Sequence, residues 1–96
     1  MTLIIQIGDK AHTHAFTEDF TVGRTGTDLE IDDEYVSPRH AVFRPSLQKY
    51  WTVEDLDSAN GTWLNGRRVR GLTWLFRGDK VRIGHTILIV TPSVPG

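Results

Sequence analysis

The chain contains no cysteine, so a disulfide framework and a thiolate metal centre are both excluded. It has no apolar run of transmembrane length, and its opening MTLIIQIGDKAH has no basic leader before a short apolar stretch. Neither a membrane span nor a signal peptide is read there, and a cytoplasmic setting is the expectation. No window of ten residues carries apolar side chains at helical spacing, and no internal repeat or low-complexity run interrupts the sequence. The 96 residues can bury roughly 60 to 65% of the surface exposed by the unfolded chain. One modest core follows, and strands must build it.

Hydrophobic residues make up 39% and charged residues 24% of the chain, the balance of a globular rather than a disordered protein. The net charge of −1 conceals an asymmetry: residues 1–57 carry five Lys/Arg against eleven Asp/Glu, and residues 58–96 six against one. Two readings stand: solvated strands of opposite sign that attract each other, or a basic face for an anion.

Short runs rich in β-branched and aromatic residues recur at 3–7, 20–22, 29–31, 40–44, 50–55, 62–64, 73–76, 80–83 and 86–90. Several alternate apolar with polar, as in Trp51-Thr52-Val53-Glu54 and Val81-Arg82-Ile83, and turn residues such as Gly23, Asn65-Gly66 and Gly78-Asp79 separate them. The pattern predicts an all-β domain over 1–91, two antiparallel sheets packed face to face, because so many strands in one flat sheet would leave a face unburied. Residues 92–96, with two prolines in TPSVPG, read as a tail or the start of a linker.

Two Asn-Gly pairs sit five residues apart in DSANGTWLNG, Asp57 to Gly66. Asn65-Gly66, between TWL and RRV, has the chemistry of a two-residue hairpin turn, since both residues tolerate positive φ. Asn60-Gly61 follows the small polar Asp57-Ser58-Ala59 and instead ends a loop, which frees its side chain for another task. Arg24 directly follows Gly23, and Ser37-Pro38-Arg39-His40 offers a hydroxyl, a guanidinium and an imidazole before a strand. Guanidinium, hydroxyl and amide donors suit an oxyanion with several acceptor oxygens.

The order Gly23-Arg24, Ser37 to His40, Asn60-Gly61-Thr62, Asn65-Gly66 and then Gly78-Asp79 with Ile83-Gly84 resembles the forkhead-associated (FHA) domain, a phosphothreonine-peptide-binding module, and in flavour its bacterial members. The resemblance spans about residues 20 to 90. It implies an eleven-stranded β-sandwich with ligand-binding loops at one end, short further strands lying around 12–17 and 67–70. It also implies that Arg24 contacts the phosphate, that Ser37 donates its hydroxyl to it, and that Arg39 adds positive charge beside them. Asn60 would hydrogen-bond the peptide backbone, flanked by Ala59, and Tyr35 would help to select the third residue after the phosphothreonine. Gly23, His40, Asn65 and Gly66 would hold the loops in shape, His40 by bracing the Gly-Arg loop.

Two positions depart from the family pattern. Ala59 stands where many members have a Thr or Ser that reaches the phosphate, and Pro38 where Asn or a basic residue is common. Each removes a donor, and a hydrogen bond to a charged group contributes about 1.5 to 3 kcal/mol. The implied partner is a phosphothreonine-containing protein or peptide, such as a Ser/Thr kinase or its substrate. No cofactor, metal, membrane or nucleic acid is expected, and no enzymatic activity.

Other readings of the same residues stay open at this level. Arg24 pairs with Asp28 or Glu30; Ala59 and Pro38 leave a phosphate-independent interaction domain of the same fold; Ser37 or Ser58 acts as a hydrolase nucleophile with His40. The basic second half with Trp63 and Trp74 forms a nucleic-acid platform; His12 and His14 begin a metal site that lacks a third ligand.

Overall fold

A computed structural model describes residues 2–8, 13–47 and 50–93, and all regular structure in them is β. Alternation explains most strands directly. In β1 (Thr2–Ile7), Leu3 and Ile5 are fully buried while Ile4 and Gln6 face outward, as a pleated strand with one covered face requires. The same alternation sets β10 (Lys80–Ile83), where Val81 and Ile83 are buried and Lys80 and Arg82 exposed.

The remaining strands are β2 (Thr13–Phe16), β3 (Phe20–Gly23), β4 (Leu29–Glu30), β5 (Ala41–Pro45), β6 (Trp51–Asp55), β7 (Thr62–Leu64), β8 (Arg67–Arg68), β9 (Thr73–Leu75) and β11 (Thr86–Ser93). Eleven strands form a six-stranded sheet, β2-β1-β11-β10-β7-β8, and a five-stranded one, β4-β3-β5-β6-β9. Between them lies one core, with Phe20 stacked on Phe43 at 4.9 Å and Trp51 beside them. The sandwich predicted from the strand pattern is therefore present, including the short strands implied near 12–17 and 67–70.

Three details differ from the sequence expectation. The five-stranded sheet is mixed rather than antiparallel, because β4 pairs parallel with β3, Val22 opposite Leu29 and Gly23 opposite Glu30. Its cause is the loop between them. Asp28 accepts from the Thr21 N–H at 2.8 Å and Glu30 from the Gly26 N–H at 2.7 Å. The chain is thereby carried back alongside β3 and runs on in the same direction, placing Leu29 and Ile31 in the core. Second, β11 continues to Ser93, two residues into the expected tail: Pro92 pairs with Leu3 where β10 no longer flanks it, so its missing N–H costs no ladder bond.

Third, among the described residues the oppositely charged halves form no ion pair with each other. The ion pairs among the described residues, Arg44 to Asp19 at 3.3 Å and to Glu54 at 3.5 Å, both lie within the acidic half. Asp28, Glu30, Asp32 and Glu34 gather around β4, on the side where β2 approaches β3 through the Phe16–Phe20 stack at 3.7 Å. Arg67, Arg68 and Arg70 lie on the opposite side, between β8 and β9. The sandwich thus separates charge laterally instead of cancelling it.

Candidate functional site

Strand direction collects four segments at one end of the sandwich: the β3–β4 loop, the β4–β5 loop, the β6–β7 loop and the β10–β11 turn. Gly23 makes the first contact possible. A Cβ there would lie 2.1 Å from the Pro38 carbonyl oxygen, so only glycine lets the two loops touch. The Arg24 N–H then donates to the Ser37 carbonyl at 3.0 Å, and the His40 N–H to the Val22 carbonyl at 2.9 Å. Arg24 is thereby fixed beside Ser37.

The side chains complete this frame. Fully buried His40 accepts at Nδ1 from the Ser37 N–H at 3.0 Å and, through Nε2, donates to the Gly61 carbonyl at 2.8 Å. A backbone N–H on one side and a carbonyl on the other assign the Nε2–H tautomer. The ring therefore joins the β4–β5 and β6–β7 loops, where the resemblance had it bracing the Gly-Arg loop. Because both nitrogens are committed to backbone atoms, neither serves Ser37 or Ser58 as a base, and the hydrolase reading loses its geometry.

Ser37 and Asn60 cross the same gap. The Ala59 N–H donates to Ser37 Oγ at 3.0 Å, and Asn60 Nδ2 donates to the Tyr35 carbonyl at 2.9 Å. Ser37 Oγ is thus positioned as an acceptor and keeps its own proton for an outside oxygen. The Asn60 Oδ1 and second N–H have no partner among the described residues and remain for a ligand.

Arg24 is exposed and forms no ion pair among the described residues. Its two proposed partners are engaged elsewhere, Asp28 with the Thr21 N–H and hydroxyl and Glu30 with the Gly26 N–H. Arg39 is exposed on the bend after Pro38, and no hydrogen bond ties it to Ser37. Pro38 contributes its carbonyl to the loop contact, and the exposed Ala59 only its N–H.

Two carboxylates that the sequence reading did not single out hold the loops from beneath. Asp55 accepts from the Ser58 N–H and hydroxyl and the Thr62 hydroxyl, at 3.0, 2.6 and 2.7 Å, while Ser58 Oγ accepts from the Gly61 N–H. Burial alone would raise the Asp55 pKa, but these hydroxyl and N–H donors outweigh it and hold the carboxyl below the usual Asp value. Asp33 accepts from the N–H groups of Tyr35 and His85 and from the Thr86 hydroxyl. Desolvation again pushes upward and the three donors win, so Asp33 also lies below its ordinary value. The Tyr35 ring packs on His85 with centroids 4.3 Å apart, which adds the β10–β11 turn to the rim.

Asn65 and Gly66 stand at the far end. Their φ values of 49° and 85° match the hairpin turn expected of an Asn-Gly pair. Asn65 Nδ2 donates to Asp79 and its Oδ1 accepts from the Lys80 N–H, both at 3.0 Å, locking the hairpin to the start of β10.

The competing platforms do not assemble. Trp63 faces outward from the six-stranded sheet, its ring covered by Arg82 and Arg68, whereas Trp74 lies on the outer face of the five-stranded sheet. The two rings share no surface on which bases could stack. His12 lies outside the described residues, and those described contain no group of three His, Asp or Glu able to hold a metal. No helix among them is long and apolar enough to cross a membrane.

A family model described as the FHA domain matches residues 20–84. The chain belongs to the FHA family. It is similar to the FHA domain-containing protein FhaB of Mycolicibacterium smegmatis, 41% identical over 64 residues, which is 67% of this chain and 41% of that protein. The chain therefore spans about two-fifths of the length of this curated relative. Among solved structures, an FHA domain studied for phosphothreonine-dependent interactions superposes with a TM-score of 0.87 at 30% identity, all of both chains being covered. The FhaA FHA domain, complexed with the intracellular domain of Rv3910, gives 0.83 at 32% identity over 92% of this chain and 98% of that one.

Proposed function

We propose that this FHA domain binds phosphothreonine-containing segments of partner proteins in Ser/Thr-kinase signalling, in the cytoplasm, and acts as a binding module without a catalytic step of its own. One arrangement carries the reading: the Ser37 hydroxyl, held by the Ala59 N–H with its proton free, stands next to an Arg24 that has no ion-pair partner among the described residues. A phosphoryl group carries about −1.5 to −2 charge at neutral pH and three strong acceptors. In this reading Arg24 and Ser37 serve those oxygens, Arg39 adds charge, and the free amide atoms of Asn60 clamp the peptide backbone beside Ala59. Tyr35 on His85 offers an apolar ring to a residue after the phosphothreonine. The relatives support it, since one solved FHA domain was studied for phosphothreonine-dependent interactions and another is complexed with an intracellular domain.

Titration with a phosphothreonine peptide, its unphosphorylated form and its phosphoserine form tests the reading. Binding should follow the phosphothreonine, and Arg24→Ala should weaken it at least tenfold, about 1.4 kcal/mol or more for a lost charge-assisted contact. Equal binding of all three peptides, or an Arg24→Ala domain that binds as tightly as the parent, would overturn it in favour of phosphate-independent recognition.

A further inference from the structure

Strand β9 ends the five-stranded sheet, and among the described residues no strand pairs with its outer edge. An edge strand leaves alternate N–H and C=O groups unpaired, and soluble proteins blunt such edges with charge, proline or bulges. Here the outward row is apolar. Leu72, Trp74 and Phe76 occupy alternate positions, hence one side of the strand direction, and are 57%, 46% and 53% exposed. Tyr50, 41% exposed, lies flat on Trp74 with centroids 5.0 Å apart and edge-on to Phe76 at 5.8 Å. Leu75, on the opposite side, is buried in the core. The segment is therefore apolar on both faces, the pattern of a strand covered on both sides.

Charge decides what covers it. Arg67, Arg68 and Arg70 line, with Thr73, a cleft of about 490 Å³ between β8 and β9, and Arg77 follows Phe76. None of the four forms an ion pair among the described residues. Asp79, the one acid in residues 58–96, is engaged by Asn65 and the Phe76 N–H. A second copy paired antiparallel about Trp74 would set Arg77 opposite Gly71, one residue from the second copy's Arg70, with no free carboxylate between them. Self-pairing is opposed, and an acidic strand is favoured.

We propose that the β9 edge takes up an extended, acidic segment of another protein as an added strand. Apolar side chains at alternate positions of that segment flank Leu72, Trp74 and Phe76 on the side away from Tyr50, and carboxylates beside them meet Arg67, Arg70 and Arg77. The surface shares no residue with the phosphate-site loops, so it needs no phosphate and operates whether or not the phosphothreonine reading holds.

The probe is an unphosphorylated peptide of roughly ten residues, alternating Val and Thr between Glu flanks, titrated alongside a copy with Lys flanks. The Glu-flanked peptide should bind, change Trp74 fluorescence and protect the Trp74 amide, the one within β9 left unpaired toward the outer edge, from exchange, and the Lys-flanked copy should not. Trp74→Ser and, separately, the charge reversal Arg70→Glu should each weaken it about tenfold or more. Arg24→Ala should leave it unchanged, while Trp74→Ser should leave phosphothreonine-peptide binding unchanged. Absence of binding, equal binding of both peptides, or binding without protection of the Trp74 amide would overturn the proposal. Concentration-dependent dimerisation that buries Trp74 without peptide would overturn it in favour of a second copy.

Discussion

At the residue scale, the site depends as much on atoms that are missing as on those present. Gly23 has no side chain, and the atom a Cβ would strike is a backbone oxygen 2.1 Å away, which cannot swing aside as a side chain would. Gly23→Ala should therefore cost about 1 to 3 kcal/mol, an overpacking penalty, and lower the melting temperature by about 4 to 8 °C per kcal/mol in a domain of this size. Phosphopeptide affinity should fall with it, both read by calorimetry. Ala59 lacks a hydroxyl, but its N–H already holds Ser37 Oγ, a backbone bond that any residue but proline would retain at this position. Ala59→Thr should thus add a donor and tighten phosphothreonine-peptide binding about tenfold or more; unchanged affinity in the same titration would show that the position does not face the phosphate. That Arg24, Ser37 and Asn60 lie in loops rather than strands was legible in the sequence, because each belongs to a short polar motif beside a turn residue. Asp33 and Asp55 were not, since a carboxylate in a polar loop looks solvated until its donors are known, and Thr86 lies 53 residues from Asp33.

At the element scale, the Asn65-Gly66 hairpin shows how much one turn ties together. Asn65 holds positive φ while its amide bonds both Asp79 and the Lys80 N–H. Asn65→Ala should lose these bonds and force a Cβ-bearing residue without local compensation into the left-handed region, costing about 1 to 3 kcal/mol in thermal unfolding. The turn lies at the end opposite the proposed phosphate loops, so folded Asn65→Ala should bind the phosphopeptide as the parent does; a parallel loss of affinity would show coupling between the two ends. Strands with clear alternation, such as β1, β6 and β10, were legible. β8 was legible only through the family resemblance, because two consecutive arginines carry no period, and the parallel direction of β4 was not legible, because it is set by the Asp28 and Glu30 hydrogen bonds rather than by hydrophobic pattern. Pro92 reads as a strand breaker until the register shows that only one neighbour flanks it.

At the scale of the whole molecule, the charge totals of the two halves were legible but their segregation to opposite sides was not, since sequence halves need not become spatial halves. The arrangement of titrating groups has a further consequence. Asp33 and Asp55 both lie beneath the loops of the proposed site, with hydrogen bonds overcoming desolvation so that each pKa falls below its unfolded value. A depressed carboxyl contributes stability that is complete above the unfolded pKa of about 3.9 and is lost as pH falls through the folded value. The peptide's phosphate instead loses its second charge near pH 6. Acidification should therefore act in two stages. From about pH 7 to 5, phosphopeptide affinity should fall while amide protection at residues 33–37 and 57–61 stays constant, because the phosphate loses charge while the carboxylates that hold those loops keep theirs. Below about pH 4, those loops should lose protection before β1, β10 and β11 do, because protonation removes their anchors and leaves the core ladders intact. Hydrogen exchange across that range separates the stages. Loss of protection at Ser37 already in the first stage would overturn this assignment, since the loops would then have changed along with the ligand.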